Sequence, residues 1–266
     1  MNISVIGFGY WGPNLVRNFK NIKNCNVTHI AESQKERHGR IHELYPDITI
    51  STFDEIIKNS DVDAVVIATH ISSHYELAKA ALENDKHVLV EKPMTSSEKN
   101  AQELIKLSKL KNKILMVDHT YLYSGAVQEI KKSLDANLLG EILYVDSIRA
   151  NLGKFQSDVN VLWDLAPHDI SIINYLINEK PVSVQAFGKS YTKNQLENIA
   201  YLILHYESNK IVHVNCSWIS PIKIRTMIIG GSKKMLVFDD LQQKKIRIYN
   251  KNLDDMISSI DNENIP

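Results

Sequence analysis

The chain is poor in cysteine and carries no surplus of either charge. Its two cysteines, Cys25 and Cys216, lie far apart among 266 residues and share no metal-ligand spacing. That speaks against a disulfide framework or a cysteine zinc site. It suits reduced, buried thiols in a cytoplasmic protein, and no metal is expected. Lysine plus arginine number 31 and aspartate plus glutamate 31. Such a balance argues against nucleic acid or an anionic membrane as main partner, although a local patch can still take a phosphate. No apolar run approaches the length of a membrane span. Met1 leads directly into "NISVIG", a strand pattern with no signal peptide before it. Neither an internal repeat nor a low-complexity linker is present.

What the sequence does have is two grammars. Up to about residue 120, short apolar strand patterns alternate with helical ones: "ISVIG", "CNVTHIAE", "DAVVIAT", "KHVLVEK" and "KILMVDH" are separated by "WGPNLVRNFKNI", "SQKERHGRIHELY", "SSHYELAKAALEND" and "TSSEKNAQELIKLSKLKN". Near-continuous apolar strands in that alternation predict a parallel sheet covered on both faces. After Thr120 come two helical patterns, "GAVQEIKKSLDANLLG" and "APHDISIINYLIN", around the long strand "EILYVDSIRANLG". Strand patterns then follow one another, with "SNK", "SP" and "GGSKK" as turns between them. The second half is therefore expected to be an open, mostly antiparallel sheet with helices on one face, and the domains to span 1–120 and 121–266. Apolar residues such as Ile211, Val214 and Ile224 would lack cover on the open face, which points to a homo-oligomer through that sheet. The polar close "DDMISSIDNENIP" reads as a disordered tail or as a chain cut before a closing element.

Three glycines, Gly7, Gly9 and Gly12, join the first strand to the first helix as G-x-G-x-x-G. The first makes a tight turn, the second lets backbone approach a pyrophosphate, and the third permits close helix–strand packing. The helix N-terminus then faces the phosphates. With the alternating pattern around it, this is a dinucleotide-binding Rossmann turn; alone it could simply be a strand–helix turn. Phe8, Tyr10 and Trp11 lie within it. Glu32 ends the second strand, followed by Ser33, where a carboxylate accepts from the adenosine ribose and repels a 2′-phosphate. NAD is therefore favoured over NADP, with Lys35 and Arg37 keeping NADP open.

Glu91, Lys92 and Pro93 close "HVLVEKP" at the carboxyl end of a strand, the edge where open α/β sheets bind ligands. Lys92 is placed for proton transfer near a nicotinamide, or is a surface lysine ending a strand; Lys92–Pro93 could be cis or trans. Thr69, His70 and His74 follow the preceding strand, either facing the cofactor or serving a helix start. His119 ends the last strand of the first domain. Arg149, Asn151 and Lys154 sit on or just past the long strand of the second, as substrate ligands or as a solvated face.

"LWDLAPHDISII" carries Trp163, Asp164, Pro167, His168 and Asp169 in an otherwise apolar helical run. Asp164 and His168 share one helical face. Pro167 is expected in a first helical turn. There His168 would lie where the helix dipole favours the neutral imidazole that a base requires. The plainer reading makes Asp164 an N-cap and His168 a core residue.

Together these pieces resemble the glucose–fructose oxidoreductase / inositol dehydrogenase / MocA (Gfo/Idh/MocA) family along essentially the whole chain: "GFGYWG", "AE", "IAT", "HVLVEKP" and D-x-x-x-H follow in order. The resemblance implies that Lys92, Asp164 and His168 form the catalytic group. It implies Lys92, Arg149, Asn151, Trp163, Asp164 and His168 as the substrate side, and Gly7 to Gly12, Glu32, Ser33, Thr69, His70, His74, Glu91, Lys92 and His119 as the cofactor side. "GYWGPNLVRNF", "HTYLYSGAV" and "LWDLAPHDISI" look like nucleotide-sugar members, including UDP-N-acetylglucosamine 3-dehydrogenases. The implied activity is NAD-dependent oxidation of a sugar hydroxyl, or reduction of the ketone. A non-sugar carbonyl reductase and a non-catalytic dinucleotide-binding protein are the alternatives. Two departures stand out. His70 replaces the family's usual proline, and family members commonly continue past "NIP" into a segment with a C-terminal helix, so this chain is expected to lack that segment.

Overall fold

The computed structural model describes residues 1–153 and 155–251. Lys154 and the polar close of the chain lie outside the described residues. Two compact units divide between Asp118 and His119.

The first unit is a six-stranded parallel sheet: β1 (Asn2–Ile6), β2 (Asn26–Ala31), β3 (Thr49–Ile50), β4 (Ala64–Ile67), β5 (His87–Val90) and β6 (Leu115–Val117), in the order β3-β2-β1-β4-β5-β6. Helices α1 (Gly12–Lys20), α2 (His38–Leu44), α3 (Phe53–Lys58), α4 (Ile71–Glu83) and α5 (Glu98–Leu110) connect them. Each of the four residues of β4 is buried, because both faces of the sheet are covered. Val65 and Ile67 join the core that includes Ala78 and Leu104, whereas Ala64 and Val66 join the one that includes Leu15 and Ile41. The strand order reverses between β1 and β4, so the carboxyl ends of these strands open a crevice. "SQKERHGRIHELY" is not one helix: a 3-10 turn at Lys35–Arg37 precedes α2. The short β3 and α3 were not read from the sequence. Their signal is a capping box, in which Glu55 N donates to Thr52 Oγ1 at 3.3 Å and Thr52 N to Glu55 Oε2 at 2.8 Å.

The second unit holds α6 (Gly125–Asp135), β7 (Ile142–Leu152), α7 (Val161–Ile177), β8 (Ser183–Lys189), β9 (Ile199–His205), β10 (Ile211–Ser217), β11 (Ile219–Gly231), β12 (Met235–Asp239) and β13 (Ile246–Tyr249). Its seven strands run β13-β12-β11-β7-β10-β9-β8, antiparallel except for the parallel pair β7–β10. Val212, Val214 and Cys216 of β10 are fully buried in one core with Val127, Ile130, Ile172 and Ile173 of α6 and α7. Val214 was expected on the open face. The period of two puts it with the buried set, and Ile211, at 45% exposure, on the other side. The "SP" pair is no turn either. It sits inside β11 at a register shift between Ile219 and Ile224, where a proline is tolerated because the ladder is interrupted.

Helix α7 starts earlier than Pro167 suggests. Asn160 is its N-cap, accepting from Trp163 N at 3.1 Å, and Pro167 lies inside the helix. The proline removes the amide that would bond to the Trp163 carbonyl. Val161, Ala166, Ile172, Ile173 and Leu176 are buried along the helix, and that packing holds it in spite of the lost bond. Asp164 is thus a first-turn residue rather than the cap, and His168 lies beyond the turn in which the dipole acts.

Candidate active site

In the first unit the glycine turn forms a cradle at the carboxyl end of β1. Gly7 has φ +95°, a conformation that favours glycine, and a Cβ on Gly12 would stand 2.2 Å from the Gly7 carbonyl oxygen. Gly9 is different: a Cβ there would meet only Arg37 Nη1, at 3.6 Å. The turn is therefore closed at both ends and open at its middle, the arrangement that lets backbone approach a pyrophosphate. Phe8 turns its side chain into the core, while Tyr10 is 94% exposed and stacks on Trp11.

Glu32 is held from three directions. It accepts from Phe8 N at 2.8 Å and Gln34 N at 2.8 Å, and Arg37 Nη1 lies 3.1 Å away. Burial alone would raise its pKa, but these donors outweigh burial and hold the carboxyl below its ordinary range. Ser33 beside it is exposed. The donor set therefore fits a dinucleotide, with an ionised acceptor beside the Gly-rich turn.

Beyond β4, His70 is the exposed N-cap residue of α4, and Thr69 Oγ1 lies 2.8 Å from Ser73 Oγ. His74 is buried. Its Nδ1 is 2.9 Å from the Pro93 carbonyl and its Nε2 3.1 Å from that of Thr69. His74 thus ties the loop after β4 to the one after β5, where Lys92–Pro93 is a cis peptide. Lys92, half-buried, follows β5 at the carboxyl edge. Burial, then the charge of Asp118, pushes the Glu91 carboxyl up to about 8, and its Oε2 accepts from Lys92 N at 3.2 Å.

In the second unit a depression of about 310 Å³ is lined by Arg149, Ala150, Asn151, Leu165, His168, Ile224 and Arg225. Of the residues expected on the substrate side, Arg149, Asn151 and His168 come together here. Trp163 is 42% exposed, and Asp164 accepts from Trp218 Nε1 at 3.1 Å. The Tyr121 ring meets the His168 ring edge-on, with centroids 5.1 Å apart. Arg149 is buried, and its Nε and Nη2 donate to Asp169 at 2.7 and 2.9 Å. Burial works against its charge, but Asp169 outweighs that and raises the pKa of the guanidinium. His119 leads into the turn Thr120–Tyr123. Tyr121 and Arg225 were not singled out in the sequence, and Asp169 was noted there without a role. The pairing register of β11 with β7 brings Arg225 beside Arg149, while Tyr121 and Asp169 reach it from the turn Thr120–Tyr123 and from α7.

The first 119 residues match the model "Oxidoreductase family, NAD-binding Rossmann fold", and residues 127–237 match the "GFO/IDH/MocA C-terminal domain". The chain belongs to the Gfo/Idh/MocA oxidoreductase family, and its first unit is an NAD(P)-binding Rossmann domain. Particular relatives stand further off. The uncharacterized oxidoreductase YhhX of Escherichia coli is 36% identical over 55% of this chain and 43% of its own length. A UDP-N-acetylglucosamine 3-dehydrogenase of Acidithiobacillus ferrooxidans is 28% identical over 71% of this chain and 58% of its own. Its solved structure superposes with a TM-score of 0.83 at 24% identity, over 94% of this chain and 80% of that one. A Magnetospirillum magnetotacticum MS-1 structure superposes at 0.85 with 27% identity, covering 96% and 82%. The match to YhhX spans less than half of that relative, and the match to the dehydrogenase less than two thirds. Among the described residues, no helix is long and apolar enough to cross a membrane.

Proposed function

We propose that the protein is an NAD-dependent dehydrogenase of a sugar ring hydroxyl, with a nucleotide sugar such as UDP-N-acetylglucosamine, oxidised at C3, as its substrate. One observation carries this reading: His168 lines a polar depression in a chain whose other unit holds the glycine cradle and Lys92. NAD supplies the hydride acceptor. His168 takes the hydroxyl proton, Lys92 steadies the alkoxide or relays the proton, and Asp164, braced by Trp218, holds a substrate hydroxyl. Ketone reduction uses the same groups in reverse. An ionised Glu32 favours NAD, because its charge repels a 2′-phosphate. Arg37, 3.1 Å from Glu32, is the residue that would favour NADP. The relative that oxidises UDP-N-acetylglucosamine supports the substrate class. We further propose that a second copy of the chain covers the open sheet face, where Tyr201, Ile211 and Tyr249 are exposed.

The test is reduced-cofactor absorbance over a panel of UDP-, dTDP- and GDP-sugars and free polyols, with NAD and with NADP. Turnover of a sugar with NAD is expected. His168→Asn and Lys92→Ala should each lower kcat by about 10²–10⁴, while NAD titration of the His168→Asn protein still shows binding. Near-normal turnover in both variants, or activity on non-sugar carbonyls alone, would overturn the reading.

A further inference from the structure

In the antiparallel register of β7 and β11, Arg149 stands directly opposite Arg225. Like charges placed opposite one another destabilise a sheet. The surrounding groups relieve this only in part. Asp169 takes Arg149 through two hydrogen bonds. The Tyr121 hydroxyl accepts from Arg149 Nη1 at 3.1 Å and Arg225 Nη1 at 3.0 Å, and donates to Asp240 at 3.2 Å. One donor and two lone pairs are all a hydroxyl has, so Tyr121 is saturated. Asp240 is shared: Lys245 is 2.6 Å from one of its oxygens, and Arg225 is 3.4 Å from the other. The cluster therefore joins three cations, Arg149, Arg225 and Lys245, to two carboxylates, Asp169 and Asp240. Among the described residues one positive charge is left over, and Arg225 has the longest ion pair of the three. Both hydrogen bonds it makes among the described residues use Nη1, so there Nε and Nη2 keep donor capacity. Arg225 lines the same depression as His168 and Asn151, with its side chain 35% exposed.

We propose that Arg225 binds an anionic oxygen group of the substrate, a carboxylate or a phosphate, while a hydroxyl of the same molecule meets His168. This rests on the depression being the substrate pocket. A guanidinium offers two parallel N–H donors to such a group, which fixes orientation as well as adding attraction. Arg149 is the positioning member. Locked by Asp169, it holds Tyr121, and Tyr121 holds Arg225.

The test compares one sugar in three forms, as the free sugar, as its uronic acid and as its UDP derivative, using the full chain and saturating NAD. The kcat/KM for at least one charged form should exceed that of the free sugar about tenfold or more, and the advantage should shrink as salt rises. The uronate and UDP arms separate a carboxylate on the ring from a phosphate beyond it. Arg225→Gln should cut the charged-to-neutral ratio at least tenfold, and Arg225→Lys should restore part of it. Equal use of all three forms, with the ratio unmoved in Arg225→Gln, would overturn the proposal and leave the sugar dehydrogenase reading intact. If no sugar is turned over, that reading fails instead. Calorimetric titration with inorganic phosphate, without NAD, then decides the subsite: binding that Arg225→Gln abolishes supports it, and no binding to the unaltered chain overturns it. Should Arg225→Gln fail to fold, competitive inhibition of the unaltered chain by phosphate or acetate supports the proposal, and no inhibition by either overturns it.

Discussion

In the first unit the cofactor cradle is made of backbone: two glycines fix its walls, a third leaves its middle open, and two amides aim Glu32. In the second unit the pocket is made of side chains whose charges must be balanced against one another across β7, β11 and α7. The two units also treat a buried carboxyl in opposite ways. Glu91, with Asp118 beside it, is pushed toward its protonated form, while Asp169 is held by the buried Arg149. A backbone site resists changes in charge and fails when a Cβ is added. A side-chain site tolerates small changes in shape and fails when a charge loses its partner.

Unpairing the buried ion pair is the sharpest way to separate the two designs. Arg149→Met should cost about 3–5 kcal/mol in urea unfolding, because Asp169 would be left buried and alone; adding Asp169→Leu should recover much of that. If the single variant is as stable as the double, the pair does not carry the buried charge of Asp169. Glu91 tests the opposite case. Its pKa is raised from 4.5 to about 8, so the stability it contributes is full below about 4.5 and is lost as pH rises through about 8. A progressive decline in stability over that window is expected in urea unfolding at successive pH values, and Glu91→Gln should flatten it. Gly12→Ala should cost about 1–3 kcal/mol through the 2.2 Å clash with the Gly7 carbonyl, and should abolish dinucleotide binding. Gly9→Ala should change stability by less than about 0.5 kcal/mol yet still weaken NAD in a fluorescence titration. Equal destabilisation at Gly9 and Gly12 would erase the distinction between the cradle's wall and its opening.

The same contrast explains what the sequence made legible. Gly7, Gly9, Gly12 and Glu32 lie close together in the chain, so their spacing, read with the strand–helix alternation around it, pointed to a dinucleotide turn. The parallel sheet was legible because both its faces are buried, and the open sheet because its turns punctuate it. Pro167 misled: a local rule placed a helix start there, but the apolar packing of α7 outweighs one lost hydrogen bond, and Asn160 is the cap. Val214 was assigned to the wrong face, since a single apolar residue carries no mark of which side its strand buries. Arg225 left no signal, because it becomes the neighbour of Arg149 only through strand pairing far along the chain.

That pairing has a consequence for how the second unit assembles. β7 is its first strand in sequence and the central one in space, flanked by β10 and β11. The strands β8, β9 and β10 form one meander, and β11, β12 and β13 another. Between the two, the chain passes round the end of β7, where Gly153 N donates to the Trp218 carbonyl. Each meander can zip through contacts close in sequence, but β7 pairs with β10 and β11, both far along the chain from it. The strand carrying Arg149 is thus a keystone, inserted between two halves that can form without it. Closure of this sheet and completion of its charged pocket are therefore expected to form one late, non-local step in folding.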